Sequence, residues 1–225
     1  MPMPAKQPVD RRAAGRLNLL FVGLTAVLLG YFMVWLPGPA VGLQLIGIEL
    51  GEWIKFLGVG GRRDWFYLPP IVIGLVLALL AATWPNGRPA TWLARGGAVA
   101  VALLAFPAVA AIQLEPRGEW LPRLLGIGVV IVVAGLGAGV AARAPDAHWP
   151  WLLMGLVALA GLLLPTIQYL AVRPVAEAIM RRPLGVGPGV WLNGGGALLV
   201  AAAALLEWRA RWTAAKIKDS RRATV

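Results

Sequence analysis

Long apolar stretches alternate along this chain with short polar ones, and the stretches are too long for strands or for the core helices of a soluble domain. The cleanest is Leu124 to Ala142, nineteen residues without a charge, a proline or an amide, closed by Arg123 and Arg143. At about 1.5 Å rise per residue, such a helix covers roughly 30 Å, the hydrocarbon thickness of a bilayer. Five more stretches read the same way: 17–36, 67–84, 96–114, 149–172 and 190–206. The pattern predicts an all-α, polytopic integral membrane helical bundle of six transmembrane helices. A basic N-terminal tail (1–16) precedes it and a basic tail (207–225) follows. The first span ends without a small-residue cleavage site, so it is expected to be retained.

Within the first long connection, Gln44, Ile48, Glu52 and Lys55 fall on one helical face, while Leu43, Leu45, Ile46, Leu50, Trp53, Ile54 and Phe56 cover the rest. That is the pattern of an interfacial helix lying apolar side down in the first outer loop, although Gly42, Gly47 and Gly51 count against its continuity. The fourth span carries Gly126, Gly128, Gly135, Gly137 and Gly139, of which Gly135 and Gly139 form a GxxxG step. Such a step favours helix packing, and it places this helix inside the bundle against several neighbours.

Charge sets the orientation. With six spans both termini share one side, and that side holds thirteen Lys and Arg against eight opposite. The positive-inside rule then puts both termini in the cytoplasm. Ten of the eleven tryptophans agree: Trp84, Trp92, Trp149, Trp151 and Trp208 gather at inner span ends, and Trp35, Trp53, Trp65, Trp120 and Trp191 at outer ends, as two interfacial belts.

Composition adds mainly exclusions. The chain is 59% hydrophobic and 14% charged, with a mean hydropathy of +0.74. It has no Cys, one His (His148, read as an interfacial residue) and one Ser, Ser220 in the tail. Disulfides, thiolate catalysis, cysteine metal sites, bis-His haem and an intramembrane serine nucleophile are therefore excluded, and neither enzyme activity nor a cofactor or metal is expected. The net charge of +11 is read as topology and attraction to anionic headgroups of the bilayer, with no nucleic acid as partner. Seventeen Arg against four Lys, with abundant Ala and Gly, points to a GC-rich bacterial gene and so to a bacterial cytoplasmic membrane.

No ionisable group lies in the middle of any predicted span, which argues against proton-coupled transport. Polar residues that enter the bundle cluster toward the outer leaflet: Gln113, Thr166, Gln168, Tyr169 and Asn193. Pro107 and Pro165 lie in the same half, and each removes a helical hydrogen bond and frees a carbonyl one turn earlier, that of Gly161 in the second case. These groups line an expected outer-leaflet pocket, the alternative being that the amides satisfy one another or the interface. Glu49, Glu52, Asp64, Glu115 and Glu119 are interspersed with Lys55, Arg62, Arg63, Arg117 and Arg123, the composition of a solvated, charge-balanced loop surface. GVGPGVWLNGGG (185–196) has neither the strand nor the GK[ST] of a phosphate loop and reads as a flexible outer loop leading into a closely packed sixth helix. Arg209, Arg211, Lys216, Lys218, Arg221 and Arg222 are expected to meet lipid headgroups or an acidic partner.

Two functional expectations follow. The first is a non-catalytic accessory or scaffolding subunit of a larger respiratory, photosynthetic or transport complex, with membrane proteins as partners. The second is a transport or ligand-binding domain. Six spans with both ends inside resemble the architecture of permease subunits of ABC exporters and of vitamin-importer substrate-binding subunits, with no shared motif to assign residue roles.

Overall fold

The computed structural model describes residues 11–38, 44–58, 60–143 and 147–222. The start of the N-terminal tail, residues 39–43 of the first connection and residues 144–146 of the 4–5 loop lie outside that description. So do the side chains of Arg62, Lys218, Arg221 and Arg222.

Helices dominate. α1 (Arg11–Phe32) leads into a strand, β1 (Val34–Leu36), which pairs antiparallel with β2 (Leu45–Ile46). α2 (Gly47–Trp53) and two 3-10 segments (54–57 and 60–67) follow, then α3 (Leu68–Ala81) and α4 (Pro89–Ala102). A 3-10 turn (103–105) separates α4 from α5 (Val109–Leu114). α6 (Leu121–Arg143), α7 (Trp149–Met180) and α8 (Pro188–Arg222) complete the chain. Among the described residues, five helices are long and apolar enough to cross a membrane: Arg11–Phe32, Arg63–Ala81, Leu121–Gly139, Trp149–Met180 and Pro188–Ile217. The chain is thus an all-α bundle of the multi-pass membrane type.

The stretch 96–114, expected as one helix, is not continuous. α4 ends at Ala102, Phe106 is extended (ψ 128°), and α5 restarts after Pro107. A proline does more than kink here: its ring forbids helical geometry at Phe106, so the helix stops. Pro165, by contrast, stays inside α7. The basic tail also differs, because residues 207–222 continue α8 without a break.

The hub is α3, not the helix of 124–142. α3 packs on α1, α4, α6 and α7, and 72% of its apolar window is buried, against 28% for α6. α6 sits at the edge, on α3 and α4. An evenly apolar helix suits lipid on its outside as well as protein on its inside, so apolarity alone does not separate centre from rim.

Glycines decide the closest approaches, though not the expected pair. A Cβ at Gly23 would stand 2.7 Å from the Gly196 carbonyl oxygen, and one at Gly196 2.6 Å from that of Gly23, so α1 and α8 touch backbone to backbone. Gly30 is similarly tight against Asn193 and Gly189. Around Gly135 a Cβ would meet nothing within 4 Å, and at Gly139 only Arg143 Nη1 of the same helix. On α6 it is Gly126 and Gly137 that face α3, against Ile71 and Ala82.

The tryptophan belts are also partial. Trp35 and Trp151 are core residues, 1% and 5% exposed; Trp35 packs edge-on against Phe66 and Tyr169. Trp92, Trp149 and Trp191 remain on the surface.

Two substitutions separate these glycine roles. Gly23→Val should destabilise the purified protein by about 1–3 kcal/mol or more, because backbone on α8 cannot yield, whereas Gly135→Val should leave its thermal unfolding in detergent unchanged. Equal effects would contradict the packing described.

Candidate functional site

The end of the bundle that carries β1, β2 and α2 is a closed cap, built around buried charge. Leu50 and Ile54 of the α2 segment are fully buried with Trp35, Phe66 and Tyr169, and two of the glycines that weakened the case for a helix, Gly47 and Gly51, are its contact points, Gly42 lying outside the described residues. A Cβ at Gly47 would stand 2.6 Å from the Tyr31 carbonyl, and one at Gly51 2.5 Å from the Tyr67 ring. Of the segment expected to lie on the interface from Leu43 onward, the described part 44–57 packs Leu50 and Ile54 into the bundle mouth and leaves Phe56 79% exposed.

That packing brings Glu52 and Lys55 over Arg63, Asp64 and Tyr67 on the 3-10 approach to α3. Glu115 and Glu119 reach in from beyond α5, and Arg123 from the first turn of α6. Arg63 and Arg123 are 1% and 3% exposed. Arg63 donates from Nη2 to Glu115 Oε2 at 2.8 Å and to the Glu119 carbonyl at 3.1 Å, and its Nε pairs with Glu119 Oε2 at 2.8 Å. Arg123 donates from Nη1 to Glu52 Oε1 at 2.9 Å and lies 3.6 Å over the Tyr67 ring. The Tyr67 hydroxyl donates to the same carboxylate oxygen at 2.5 Å. Lys55 links Glu52 (3.4 Å) to Glu115 (3.3 Å).

These residues were expected to form a solvated loop surface. Two of the cations are instead excluded from water and hold four segments together. The pattern of alternating signs was visible in the sequence; burial was not, because nothing local marks which loop charges fold over one another.

The cluster shifts its carboxyls. Burial pulls Glu52 up, but the Tyr67 hydroxyl, the Arg123 guanidinium and Lys55 more than reverse this and leave it below the usual carboxylate range. Glu115 is lowered by its bond to Arg63, against a smaller effect of burial, with help from Lys55.

Of the expected pocket residues, the structure brings two together. Thr166 and Tyr169 line a groove of about 410 Å³ between α7 and α8, with Trp191, Gly194, Gly195 and Leu198. The Tyr169 hydroxyl is taken up by the Gly185 carbonyl at 2.7 Å. Asn193 lies on the other side of α8, buried, with its Nδ2 3.5 Å from the Gly161 carbonyl that Pro165 frees. Gln168 is half-buried and outside the groove lining, and Gln113 is exposed on α5, remote from the other four. The amides do not satisfy one another: Gln168 Oε1, Asn193 Oδ1 and Thr166 Oγ1 have no hydrogen-bond partner. The 185–196 stretch does lead into a closely packed helix, but its loop part is short and not loose, since α8 begins at Pro188 and Gly187 and Gly189 abut Val34 and Trp35.

At the opposite end Glu207, 6% exposed, receives Arg16 at 2.6 Å and Arg211 at 2.8 Å, and Arg211 stacks 5.3 Å from the Trp151 ring. Arg211 is thus committed within the bundle. Arg209 and Lys216 are exposed.

No family model, curated protein or solved structure matches the chain.

Acid should loosen the cap. Glu52 and Glu115 are lowered in the fold and return to their ordinary value of 4.5 on unfolding, so their stabilisation is full above about pH 4.5 and is lost as pH falls through their folded values. Hydrogen exchange of 50–67 in detergent should be flat between pH 7 and 5 once corrected for intrinsic rates, then rise below pH 4.5. Arg63→Met should cost up to about 3–5 kcal/mol, as removal of one buried partner does, and should flatten that acid transition. An unaltered transition in this variant would detach the pH response from the cluster.

Proposed function

We propose that the protein is a non-catalytic subunit of a larger membrane assembly. On this reading it crosses a bacterial cytoplasmic membrane six times with both termini in the cytoplasm, the third crossing being the broken one. Its partner meets the face made by α4, α5 and α6.

The break at 103–108 is the observation that carries this reading. No backbone hydrogen bond joins the 103–106 turn to α5, and α5 buries no residue. Phe106 before it and Val109 and Leu114 on it are exposed. Hydrocarbon offers such backbone no hydrogen-bonding partner, so irregular backbone in a membrane survives where protein covers it or where it lines a water-filled cavity. The surroundings here are apolar, which favours protein. The neighbouring face of α6 exposes Leu125, Val129, Val132 and Leu136, and Gly135 there leaves room for a second helix backbone to approach. The missing Cys and the single tail Ser support a role without catalysis.

A photo-crosslinking residue at Val109 or Val132 should yield a defined protein adduct in the native host, while one at the equally lipid-accessible Leu29 on α1 should not. Gly135→Leu should lower recovery of that partner in native mass spectrometry and leave the chain's own unfolding temperature unchanged. A lone chain in mild detergent, with lipid adducts only from Val109 and Val132, would end this reading.

The groove between α7 and α8 favours a second reading, a transport or ligand-binding domain for an apolar molecule. It requires Thr166→Val to reduce ligand retention with the fold intact, and undiminished retention would reject it.

A further inference from the structure

The groove between α7 and α8 has a floor without side chains. On α8, Gly194 and Gly195 stand between Trp191 and Leu198, and a Cβ at Gly195 would meet nothing within 4 Å. The facing wall on α7 is Leu162, Thr166 and Leu170. Its volume of about 410 Å³ is too small for a partner helix, which at about 10 Å across would place less than one turn in it. An extended hydrocarbon chain lies along it lengthwise.

Charge stands at one end. Leu162, Thr166, Tyr169 and Arg173 follow at spacings of four, three and four, so Arg173 continues the groove wall on the same face of α7. Arg173 donates from Nε to Glu177 Oε1 at 2.9 Å, and the same oxygen receives the Leu184 N–H at 2.9 Å. Leu184 comes two residues before Val186, which lines this end of the groove, so the guanidinium is anchored at the groove's mouth. Its Nη1 and Nη2 have no partner among the described residues, and with 34% of the side chain exposed they are open to the surroundings. The link from Arg173 to Val190 is described throughout and carries Arg173, Arg181 and Arg182 against Glu177 alone; Arg181 and Arg182 are exposed. The depth fits as well. Trp149, exposed at the other end of α7, marks one interface, and about twenty residues on, roughly 30 Å, the helix leaves the hydrocarbon near Tyr169. The groove then lies within one leaflet of the apolar layer, with Arg173 one turn beyond it at the level of lipid phosphates.

We propose that this groove holds one acyl chain of an anionic phospholipid, with the phosphate on Nη1 and Nη2 of Arg173 and the chain over Gly194 and Gly195. The guanidinium fork offers paired N–H donors to phosphate oxygens. Arg181 and Arg182 favour a headgroup of net negative charge over a zwitterionic one. Trp191, 71% exposed on the rim, belongs at the boundary where the glycerol and ester groups lie. The proposal rests on the ligand-binding reading of this groove and is independent of the partner at α6.

The test is a titration of the full-length protein in detergent with dioleoyl-phosphatidylglycerol and dioleoyl-phosphatidylcholine, read by native mass spectrometry. The wild type should retain phosphatidylglycerol about tenfold more tightly, the effect of one or two basic residues on an anionic headgroup. Arg173→Gln should lower that retention about tenfold, the loss of a charge-assisted hydrogen bond, while Arg209→Gln, at the opposite end of the bundle, should not. Gly195→Leu should fill the groove and weaken both lipids with the fold intact, because the space around it is open. Equal retention of the two lipids by the wild type, an equal loss in Arg209→Gln, or undiminished phosphatidylglycerol retention in Arg173→Gln would overturn the proposal. If Arg173→Gln fails to fold, undiminished retention by Gly195→Leu overturns it instead. Hexadecane retained by the wild type and lost in Gly195→Leu, with no preference between the two lipids, would overturn the phospholipid and leave the groove a site for apolar ligands.

Discussion

Two guanidinium groups held away from water constrain the rest of this molecule. Removing a cation from water costs several kcal/mol even after relaxation, and only close carboxylates with good geometry offset it. Arg63 and Arg123 obtain those carboxylates from three other places: the end of α2, the link beyond α5 and the far side of the same link at Glu119. The link beyond α5 buries no apolar residue of its own, whereas the α2 segment also buries Leu50 and Ile54. The position of that link is therefore set by charge, while the α2 segment is held both by charge and by the hydrophobic cap of Trp35, Leu50, Ile54 and Phe66 underneath. Tyr67 connects the two kinds of interaction, since its ring carries Arg123, its hydroxyl is spent on Glu52, and it immediately precedes α3.

From there the packing follows α3, and absence of side chain matters as much as presence. Between apolar helices in lipid no hydrophobic driving force selects a partner, so shape and close approach do. Gly23 against Gly196 and Gly161 against Val72 let backbones come near enough for dense packing. Gly161 is doubly used, because its carbonyl, released by Pro165, lies opposite the Asn193 amide. An amide buried in this bundle thus has a structural task before any binding task.

What could be read from the sequence followed from period and length. The long apolar helices, the break in polarity at each end and the helical class are all consequences of chain thermodynamics in a bilayer. What could not be read depends on contacts between distant segments. A GxxxG spacing marks a capacity for close approach, but Gly135 and Gly139 face outward while Gly23, Gly30 and Gly196, at a wider spacing, do the packing. Pro107 and Pro165 look alike in sequence, and only one ends its helix. The loop charges alternate in sign whether they are solvated or folded over one another. Thr166 and Tyr169 were foreseen together; Arg63 and Arg123, the most deeply buried ions, were read as surface.

The broken third stretch and the charge cluster are connected. A continuous helix from Pro89 to Leu114 would have 26 residues and run about 39 Å, longer than the hydrocarbon layer and longer than its neighbour α3. It would carry Glu115 past the cap, out of reach of Arg63 and Lys55. Stopping at Ala102, turning through 103–108 and restarting as α5 shortens the path and delivers Glu115 and Glu119 to Arg63. The cluster is completed by giving up helical hydrogen bonds at the break. That exchange satisfies the charges inside the chain and leaves the unsatisfied backbone on its outside, on the same side as the open face of α6. The surface at which the proposed partner would sit is thus generated by the way the interior is neutralised.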